Sequence, residues 1–308
     1  MILARILWNI LLPIFLVAGV GWFGRRRLRV DGRTLSTLAF YVLTPSLVFT
    51  SLFHIQISLT DLGRVLAFVG GMIVTMALLG LLIARLAGWD RALTSAFVLT
   101  LVVLNNGNYG IPLNRFAFGD AGSQIAVMFY AISAFFSNTL GVLIATSGHT
   151  DLGPALKSML RVPMIYATAI AIACRALGVQ PPAPVMRAVE LLADAAVPVM
   201  LLILGVQLSS ISAGDSLPTV MVATGLRLVV SPIIAIGMAH LMGLQGMTGV
   251  VGIVQWGVPT AVIAAVLATQ YDCKPTYVAM TIFATTLMSI VTMPLLLGRV
   301  AAGMLVGM

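Results

Sequence analysis

Apolar residues follow one another along this chain in runs of about 20 residues, the length at which a helix crosses the hydrocarbon core of a bilayer. Short polar connections separate the runs, so no stretch remains for a soluble domain. The pattern predicts an all-α polytopic membrane protein with about ten transmembrane helices, which we call spans 1 to 10. Their predicted limits are 4–24, 34–53, 62–86, 92–117, 122–146, 163–178, 185–208, 217–241, 247–269 and 276–298.

Span 4 is interrupted at 105–112 by Asn-Asn-Gly-Asn-Tyr-Gly-Ile-Pro, which we call the amide motif. Glycine lets the backbone unwind and proline removes an N–H donor, so the helix is predicted to break here. Broken backbone at membrane depth survives only where it is buried in protein or lines a polar cavity. The motif therefore predicts a substrate site, although a packing kink with its amides bonded to neighbouring helices is the alternative. The candidate residues are Asn105, Asn106, Asn108, Tyr109, Gly110 and Pro112.

Span 9 carries a second interruption at 255–260, where Gly257 and Pro259 repeat the Gly-x-Pro spacing of the amide motif. Gln255 is the predicted polar partner of the first interruption, and these three residues join the candidate site. Trp256 either walls the cavity or faces the lipid.

The two halves of the chain look alike. Pro13 corresponds to Pro163 and Pro45 to Pro198, at nearly the same offset as the two interruptions. This predicts a five-helix repeat at 1–150 and a second at 151–308. Because five is odd, the second copy enters the membrane inverted, and inverted repeats with paired broken helices are typical of secondary transporters. The broken helices 4 and 9 are then expected to cross near the midplane, with half-helix N-termini facing an anion.

Composition agrees with the hydropathy pattern. The chain is 60% hydrophobic and 8% charged over 308 residues, with mean hydropathy +1.09 and net charge +8. The basic cluster at 25–33 adjoins span 1, so it favours a cytoplasmic anchor over nucleic-acid binding. The loop charges predict that both termini lie on the outer side of the membrane. Because the cluster follows the first apolar run, a cleavable signal is not expected. Cys174 and Cys273 indicate neither disulfides nor a metal site.

Ionisable residues inside the spans are functional candidates by default. Arg227 in span 8 either attracts a substrate carboxylate or pairs with an internal acid, and a structural ion pair or snorkelling is the other interpretation. Glu190 and Asp194 share one face of span 7, which makes them candidates for a proton or sodium coupling site.

Polar patches in spans 5 and 10 are related by the repeat. Asn138 in span 5 is a further candidate ion ligand, although such residues most often bond between helices. The span 10 patch contains Thr285, Thr286 and Ser289. We find no catalytic dyad and no clustered His, Cys or acidic residues near the interruptions, so the chain is not expected to be an enzyme or to hold a metal or cofactor.

The amide motif resembles the span 4 crossover of the auxin efflux carrier family, and in particular its bacterial malate and malonate permease branch. The resemblance extends to Arg227-Leu-Val-Val-Ser-Pro232, to 255–259, to Ala268-Thr-Gln-Tyr271 with Pro275, and to Asp194 with Gly205. It covers nearly the whole chain.

The resemblance implies a fold similar to that of bile-acid sodium symporters, with spans 1, 2, 6 and 7 as a scaffold and spans 3–5 and 8–10 as a mobile transport domain. It implies a homodimer through the scaffold, and a substrate carboxylate on the residue that matches Asn105. The chain lacks the long hydrophilic loop of the plant carriers and carries extra amides at Asn106 and Asn108, which favours a small polar anion over an auxin.

The predicted function is therefore secondary transport of a small organic anion, such as malonate or malate, across the bacterial cytoplasmic membrane by alternating access. The alternatives on the same fold are a sodium-coupled bile-acid-like symporter and a carrier of auxin-like aromatic carboxylates. A channel and an intramembrane enzyme are the alternatives of other classes.

Overall fold

The structure is a computed structural model that describes residues 2–55, 57–145, 162–209, 217–301 and 303. Every regular element within these residues is helical, as the sequence predicts. In chain order the helices are α1 (Ile2–Ile6, Leu7–Leu11, Leu12–Arg27), α2 (Gly32–Leu38, Ala39–Leu43, Thr44–His54), α3 (Leu59–Leu86), α4 (Arg91–Val102), α5 (Asn106–Gly110, Ile111–Ala145), α6 (Pro163–Leu177), α7 (Ala183–Leu208), α8 (Leu217–Gly225, Leu226–Val230, Ser231–Leu241), α9 (Gly246–Gly257), α10 (Ile263–Gln270) and α11 (Pro275–Ala301).

Six helical stretches of the described chain are long and apolar enough to cross a membrane, by length and composition. They are Leu3–Arg27, Gly32–His54, Thr60–Leu86, Ala183–Leu208, Leu217–Leu241 and Pro275–Val300. Shorter apolar helices occupy Arg91–Val102 and Pro163–Leu177. Apart from Arg91–Val102, which ends at the break inside predicted span 4, their limits lie within a few residues of the predicted spans, because hydropathy locates apolar helices in a membrane protein.

Proline shapes several of these helices. In the described part of the chain, four π-helical turns each end two residues before a proline. A proline has no N–H to donate, and its ring clashes with the carbonyl of the preceding turn. A wider turn with i→i+5 bonding accommodates both effects. The turns are Leu7–Leu11, Ala39–Leu43, Asn106–Gly110 and Leu226–Val230, before Pro13, Pro45, Pro112 and Pro232.

Helices α1 and α7 pack with their backbones in contact. A Cβ atom added to Gly205 would lie 1.7 Å from the carbonyl oxygen of Ala18, and one added to Gly21 would lie 2.1 Å from that of Leu202. Small residues at such positions let apolar helices approach closely, which is how helices associate in lipid. The α1–α7 pair is therefore closely packed.

Gly119 divides α5 without an intervening loop. Its φ of 69° and ψ of −158° lie in a region open almost only to glycine, so the chain turns sharply within what is otherwise continuous helix. The residues before the kink complete predicted span 4, and those after it form predicted span 5.

Candidate functional site

Both predicted interruptions adjoin real breaks in helical structure, but the breaks are displaced from the predicted limits. The amide motif after Asn105 is helical, because a π turn accommodates Pro112, and 255–257 are helical as well. The two breaks are hydrogen-bonded to each other. Helix α4 ends at Val102 and α5 begins at Asn106, while α9 ends at Gly257 and α10 begins at Ile263. We call residues 103–105 the first break and residues 258–262 the second break. An isolated antiparallel bridge joins Leu104 to Thr260.

Main-chain groups form this bridge. The N–H of Asn105 donates to the carbonyl of Pro259 at 2.9 Å, and the N–H of Ala261 donates to the carbonyl of Val103 at 3.0 Å. Buried N–H and C=O groups need partners in a medium without water. Each break therefore satisfies part of the backbone that the other exposes.

Thr260 ties the second break to two helices. Its hydroxyl donates to the carbonyl of Thr100 at 2.8 Å, and its N–H donates to the hydroxyl of Thr285 at 3.3 Å. The Thr100 carbonyl belongs to the last turn of α4, where a helix leaves its carbonyls without an intrahelical partner. Thr260 therefore caps α4 while α11 holds Thr260 in place.

Three buried amide side chains around the breaks each donate one hydrogen bond to protein. Asn106 donates to the hydroxyl of Ser133 at 3.1 Å, and Asn114 donates to the carbonyl of Gly110 at 2.8 Å. Gln255 donates to the carbonyl of Ala126 at 3.0 Å. These bonds fix the direction in which the opposite end of each amide points.

The other ends of these amides have no partner among the described residues. The unpartnered atoms are Asn106 Oδ1, Asn114 Oδ1 and Gln255 Oε1, and the Nδ2 atom of Asn105 is likewise buried without a partner. Leaving a buried polar group unpaired costs about 1–3 kcal/mol, so water or a ligand is expected to pair with these atoms. Together they offer one donor and three acceptors.

The structure brings residues of the two interruptions into direct contact. A Cβ atom added to Gly110 would lie 2.0 Å from Gln255 Oε1. Glycine is therefore required at 110 by close approach of the glutamine. Gln255, predicted as the polar partner of the amide motif, thus lies against Gly110, whereas its own hydrogen bond goes to the Ala126 carbonyl.

The remaining predicted residues also lie around the breaks. The hydroxyl groups of Tyr109 and Ser289 are hydrogen-bonded at 3.0 Å, which links the amide motif to α11. A Cβ atom on Gly257 would lie 2.7 Å from Met293, so α9 and α11 approach closely there. Asn108 is partly exposed, whereas Pro112 and Pro259 are buried.

Arg227 is fully buried and contacts the end of α9. Its Nη1 atom donates to Ser231 Oγ at 2.7 Å and to the carbonyl oxygen of Trp256 at 3.0 Å. The guanidinium carbon lies 5.6 Å from the centroid of the Trp256 ring. In the described chain none of the ion pairs includes Arg227, so an internal acid is not its partner there. Trp256 is buried as well, which excludes the lipid-facing alternative.

Glu190 and Asp194 line a separate cavity of about 300 Å³ between α2, α5 and α7. Glu190 lies 3.5 Å from the imidazole of His54, and Asp194 lies 4.0 Å from the guanidinium of Arg115. Arg115 also contacts Asp120 at 3.4 Å. The cavity is lined by Leu47, Thr50, Ser51, His54, Arg115, Asp120, Ser123, Gln124, Glu190, Ala193 and Asp194, none of which belongs to either break.

Sequence reasoning missed several residues of these two sites. Asn114 lies one turn after Gly110 in an apolar helix, and that isolated amide was a usable signal. Ser133 and Ser231 carry no such signal, because single serines are common in membrane helices. Arg115 carries no signal in the sequence beyond that of a loop charge. The side chain of Asn138 lies outside the described residues.

Comparison with known proteins assigns the chain to a family. A model of the family described as membrane transport protein matches residues 7–297. The chain belongs to that family. It is the auxin efflux carrier family that the amide motif resembles.

Two archaeal relatives are also described as transporters. An uncharacterized transporter of Methanothermobacter thermautotrophicus is 27% identical over 268 residues, which cover 86% of this chain and 88% of the relative. The uncharacterized transporter MJ1031 of Methanocaldococcus jannaschii is 25% identical over 202 residues, which cover 64% of this chain and 66% of the relative. The chain is thus a multi-pass membrane transporter, and the prediction that it is not an enzyme is confirmed.

Proposed function

We propose that this transporter carries a small organic anion, a mono- or dicarboxylate such as malonate or malate, by alternating access. One observation carries the proposal: buried amide side chains, each with one atom that has no partner among the described residues, surround two breaks that are bonded to each other. Inverted-repeat carriers bind substrate near the bilayer midplane between discontinuous helices, whose ends and exposed backbone groups face the ligand.

The first break suits a carboxylate for two reasons. Asn105 offers a buried Nδ2 donor that no described protein group accepts. The same residue precedes the first turn of α5, and the N–H groups of such a turn have no intrahelical partner and carry partial positive charge. The free amide oxygens of Asn106 and Gln255 would accept from a hydroxyl of the substrate or from water.

We further propose that the helices form two inverted five-helix repeats, 1–150 and 151–308. In this arrangement α4 with the start of α5, and α9 with α10, are the broken and crossing spans 4 and 9. Helices α1, α2, α6 and α7 form the scaffold, and the others form the mobile domain. The backbone contact of α1 with α7 and the pairing of the breaks support this division.

The proposed arrangement also concerns the assembly of the protein and its orientation in the membrane. We propose a homodimer formed through the scaffold, in the bacterial cytoplasmic membrane, with both termini outside. The pairing of Lys274 with Asp90, 3.9 Å apart, supports a shared membrane side for their two loops, as the loop-charge count requires.

The surroundings of Glu190 and Asp194 do not suit a bound coupling cation. Both carboxylates are substantially exposed and each has a basic neighbour. A dehydrated cation instead needs several converging oxygens in a closed site. We therefore assign Glu190 and Asp194 to contacts at the mouth of the cavity, where α5 meets α2 and α7.

Uptake into proteoliposomes tests the function. Labelled malonate, malate, indole acetate and taurocholate would be offered separately, with sodium and pH gradients imposed independently. We expect saturable uptake and counterflow for a small carboxylate. Saturable uptake of taurocholate or indole acetate alone would replace the substrate assignment, and flux without saturation or counterflow would indicate a channel.

A further inference from the structure

Arg227 holds a buried positive charge that no described carboxylate balances. A charge at membrane depth is expensive unless the protein compensates it. Two of its nitrogens, Nε and Nη2, are buried without a partner, so the compensation comes through Nη1 and the ring of Trp256. Arginine stays protonated in proteins, so this charge is permanent.

The compensating group is the end of α9. Trp256 is the penultimate residue of that helix, and the N–H that would normally bond its carbonyl belongs to Thr260. That N–H donates to Thr285 instead. The Trp256 carbonyl accepts from Arg227 at 3.0 Å and from the hydroxyl of Ser231 at 2.8 Å. A helix C-terminus carries partial negative charge, so the guanidinium caps it both electrostatically and by hydrogen bonding.

Carriers with broken helices use such ends to hold the coupling cation, because carbonyls at half-helix C-termini coordinate it. Here Arg227 already bonds the carbonyl oxygen of Trp256 and the hydroxyl of Ser231. We propose that the guanidinium of Arg227 is a built-in cation that takes the place of a bound coupling ion at the end of α9. This inference rests on the proposed anion transport and specifies how it is coupled.

A permanent built-in cation has two consequences. Anion uptake needs no sodium, since the position that sodium would fill is occupied. Net transport also moves the uncompensated charge of the anion, so an inside-positive voltage accelerates uptake. Removing the guanidinium should expose the Trp256 carbonyl and Ser231 hydroxyl, and should allow sodium to bind in its place.

Three variants test this position. Arg227→Gln removes the charge, Arg227→Lys keeps it, and Arg187→Gln is the matched control because Arg187 is exposed on α7. Uptake of labelled malonate would be measured with equal sodium chloride or choline chloride on both sides. We expect wild type, Arg227→Lys and Arg187→Gln to differ by less than about threefold between the salts. We expect Arg227→Gln to fall at least about tenfold in choline, the equivalent of one charge-assisted hydrogen bond, and to recover severalfold in sodium.

A second readout does not need a transported substrate. The melting temperature of each detergent-solubilised protein would be measured in sodium chloride and in choline chloride. Sodium should raise the melting temperature of Arg227→Gln and leave that of wild type unchanged. If no carboxylate is transported, the proposed function fails while this readout still tests the role of Arg227.

Three results would overturn the proposal. Sodium-stimulated uptake by wild type would place the coupling ion elsewhere. An Arg227→Gln protein that is indifferent to sodium in both readouts would reduce Arg227 to a structural cap. If Arg227→Gln cannot be purified folded, the melting temperatures of wild type and Arg227→Lys decide. A rise in sodium for either protein contradicts the built-in cation, and no rise in both supports it.

Discussion

Asn105 differs from the other buried amides because its unpartnered atom is a donor. Asn106, Asn114 and Gln255 use their NH2 groups on protein acceptors and leave oxygen atoms free. Asn105 leaves Nδ2 free, beside the start of α5. At the scale of single residues, Asn105 therefore supplies the donor that an anion requires, and the other three amides supply the acceptors that a hydroxyl or water would use.

Replacing Asn105 should weaken substrate binding without unfolding the protein. A hydrogen bond to a charged group contributes about 1.5–3 kcal/mol, so Asn105→Ala should lower malonate uptake at limiting substrate by about 10–100-fold. Asn9→Ala is the matched control, because that amide is exposed on α1. Asn105→Asp should be at least as harmful, since it brings like charge to the anion. Unchanged uptake by Asn105→Ala would remove this residue from the site.

Gly110 should not tolerate even a methyl group. The added Cβ would lie 2.0 Å from Gln255 Oε1, and the glutamine is held by its bond to Ala126. Gly110→Ala should therefore displace Gln255 and lower uptake by about tenfold or more, comparable to the cost of one overpacked side chain. Gly63→Ala is the control, since a Cβ there meets nothing within 4 Å. Shortening Gln255 makes room for an alanine at 110. Adding Gly110→Ala should therefore lower the melting temperature less in the Gln255→Ala protein than in wild type.

At the scale of elements, the breaks are held by contributions from several helices. Helix α4 supplies the Thr100 carbonyl, α11 supplies the Thr285 hydroxyl, and the second break supplies Thr260 between them. Because each group is buried, losing one bond leaves an unpaired partner in an apolar surrounding. The breaks are therefore braced by groups from neighbouring helices.

Thr260→Val tests this brace. Valine keeps the shape but removes the hydroxyl, so the Thr100 carbonyl loses its donor. We expect a loss of about 1–3 kcal/mol, seen as a lower melting temperature in detergent. Thr269→Val is the control, because that hydroxyl is exposed and bonds within α10. Equal melting temperatures for both variants would mean that Thr260 does not brace the break.

The first turn of α2 provides a simpler test of an element. Asp31 accepts from the N–H groups of Arg33 and Thr34, and hydrogen bonding by the Thr34 hydroxyl and backbone holds the pKa of the Asp31 carboxyl below its usual value. A depressed pKa contributes stability above the unfolded pKa, and this is lost as the pH falls through the folded value. Asp31→Ala should lower the melting temperature at pH 7, whereas Asp31→Asn should retain most of the cap. Equal melting of the two variants would contradict the cap.

Helix limits and breaks were predictable because they depend on local composition. A run of apolar residues predicts a span, and Gly-x-Pro inside the run indicates that an interruption is near. Gly257-Val-Pro259 overlaps the second break, whereas Gly110-Ile-Pro112 lies in α5, just after the first break. The pairing of Gln255 with the amide motif followed from the repeat, which carries tertiary information within one sequence. The π turns and the caps of α4 and α9 did not follow, because they depend on which helix supplies the neighbouring group. The sequence likewise left the partner of Arg227 open, since a backbone carbonyl has no signature.

At the scale of the whole molecule, the cavity and the breaks lie at different helix–helix interfaces. The cavity is bounded by α2 and α7, which we assign to the scaffold, and by α5 near Gly119. Arg115 on α5 and Asp194 on α7 are the charged groups that face each other across this boundary. If α5 moves against α7 during transport, this pair must separate once in each cycle.

Exchanging these two charges tests that motion. An exposed ion pair contributes about 0.2–1 kcal/mol, so Arg115→Asp or Asp194→Arg alone should change the uptake rate by no more than about fivefold. The double exchange should return the rate toward wild type, because it restores opposite charges across the boundary. Additive effects in the double variant would show that the pair does not act as a unit.

The bridge between the breaks also bears on how such a carrier changes substrate over evolution. Its two hydrogen bonds use only main-chain groups of Val103, Asn105, Pro259 and Ala261. Apart from the missing donor of proline, these bonds impose no side-chain identity at the four positions. Side chains beside the substrate can therefore be replaced while the frame that presents them persists. We expect divergent relatives to keep this frame and to differ in the residues that project from it.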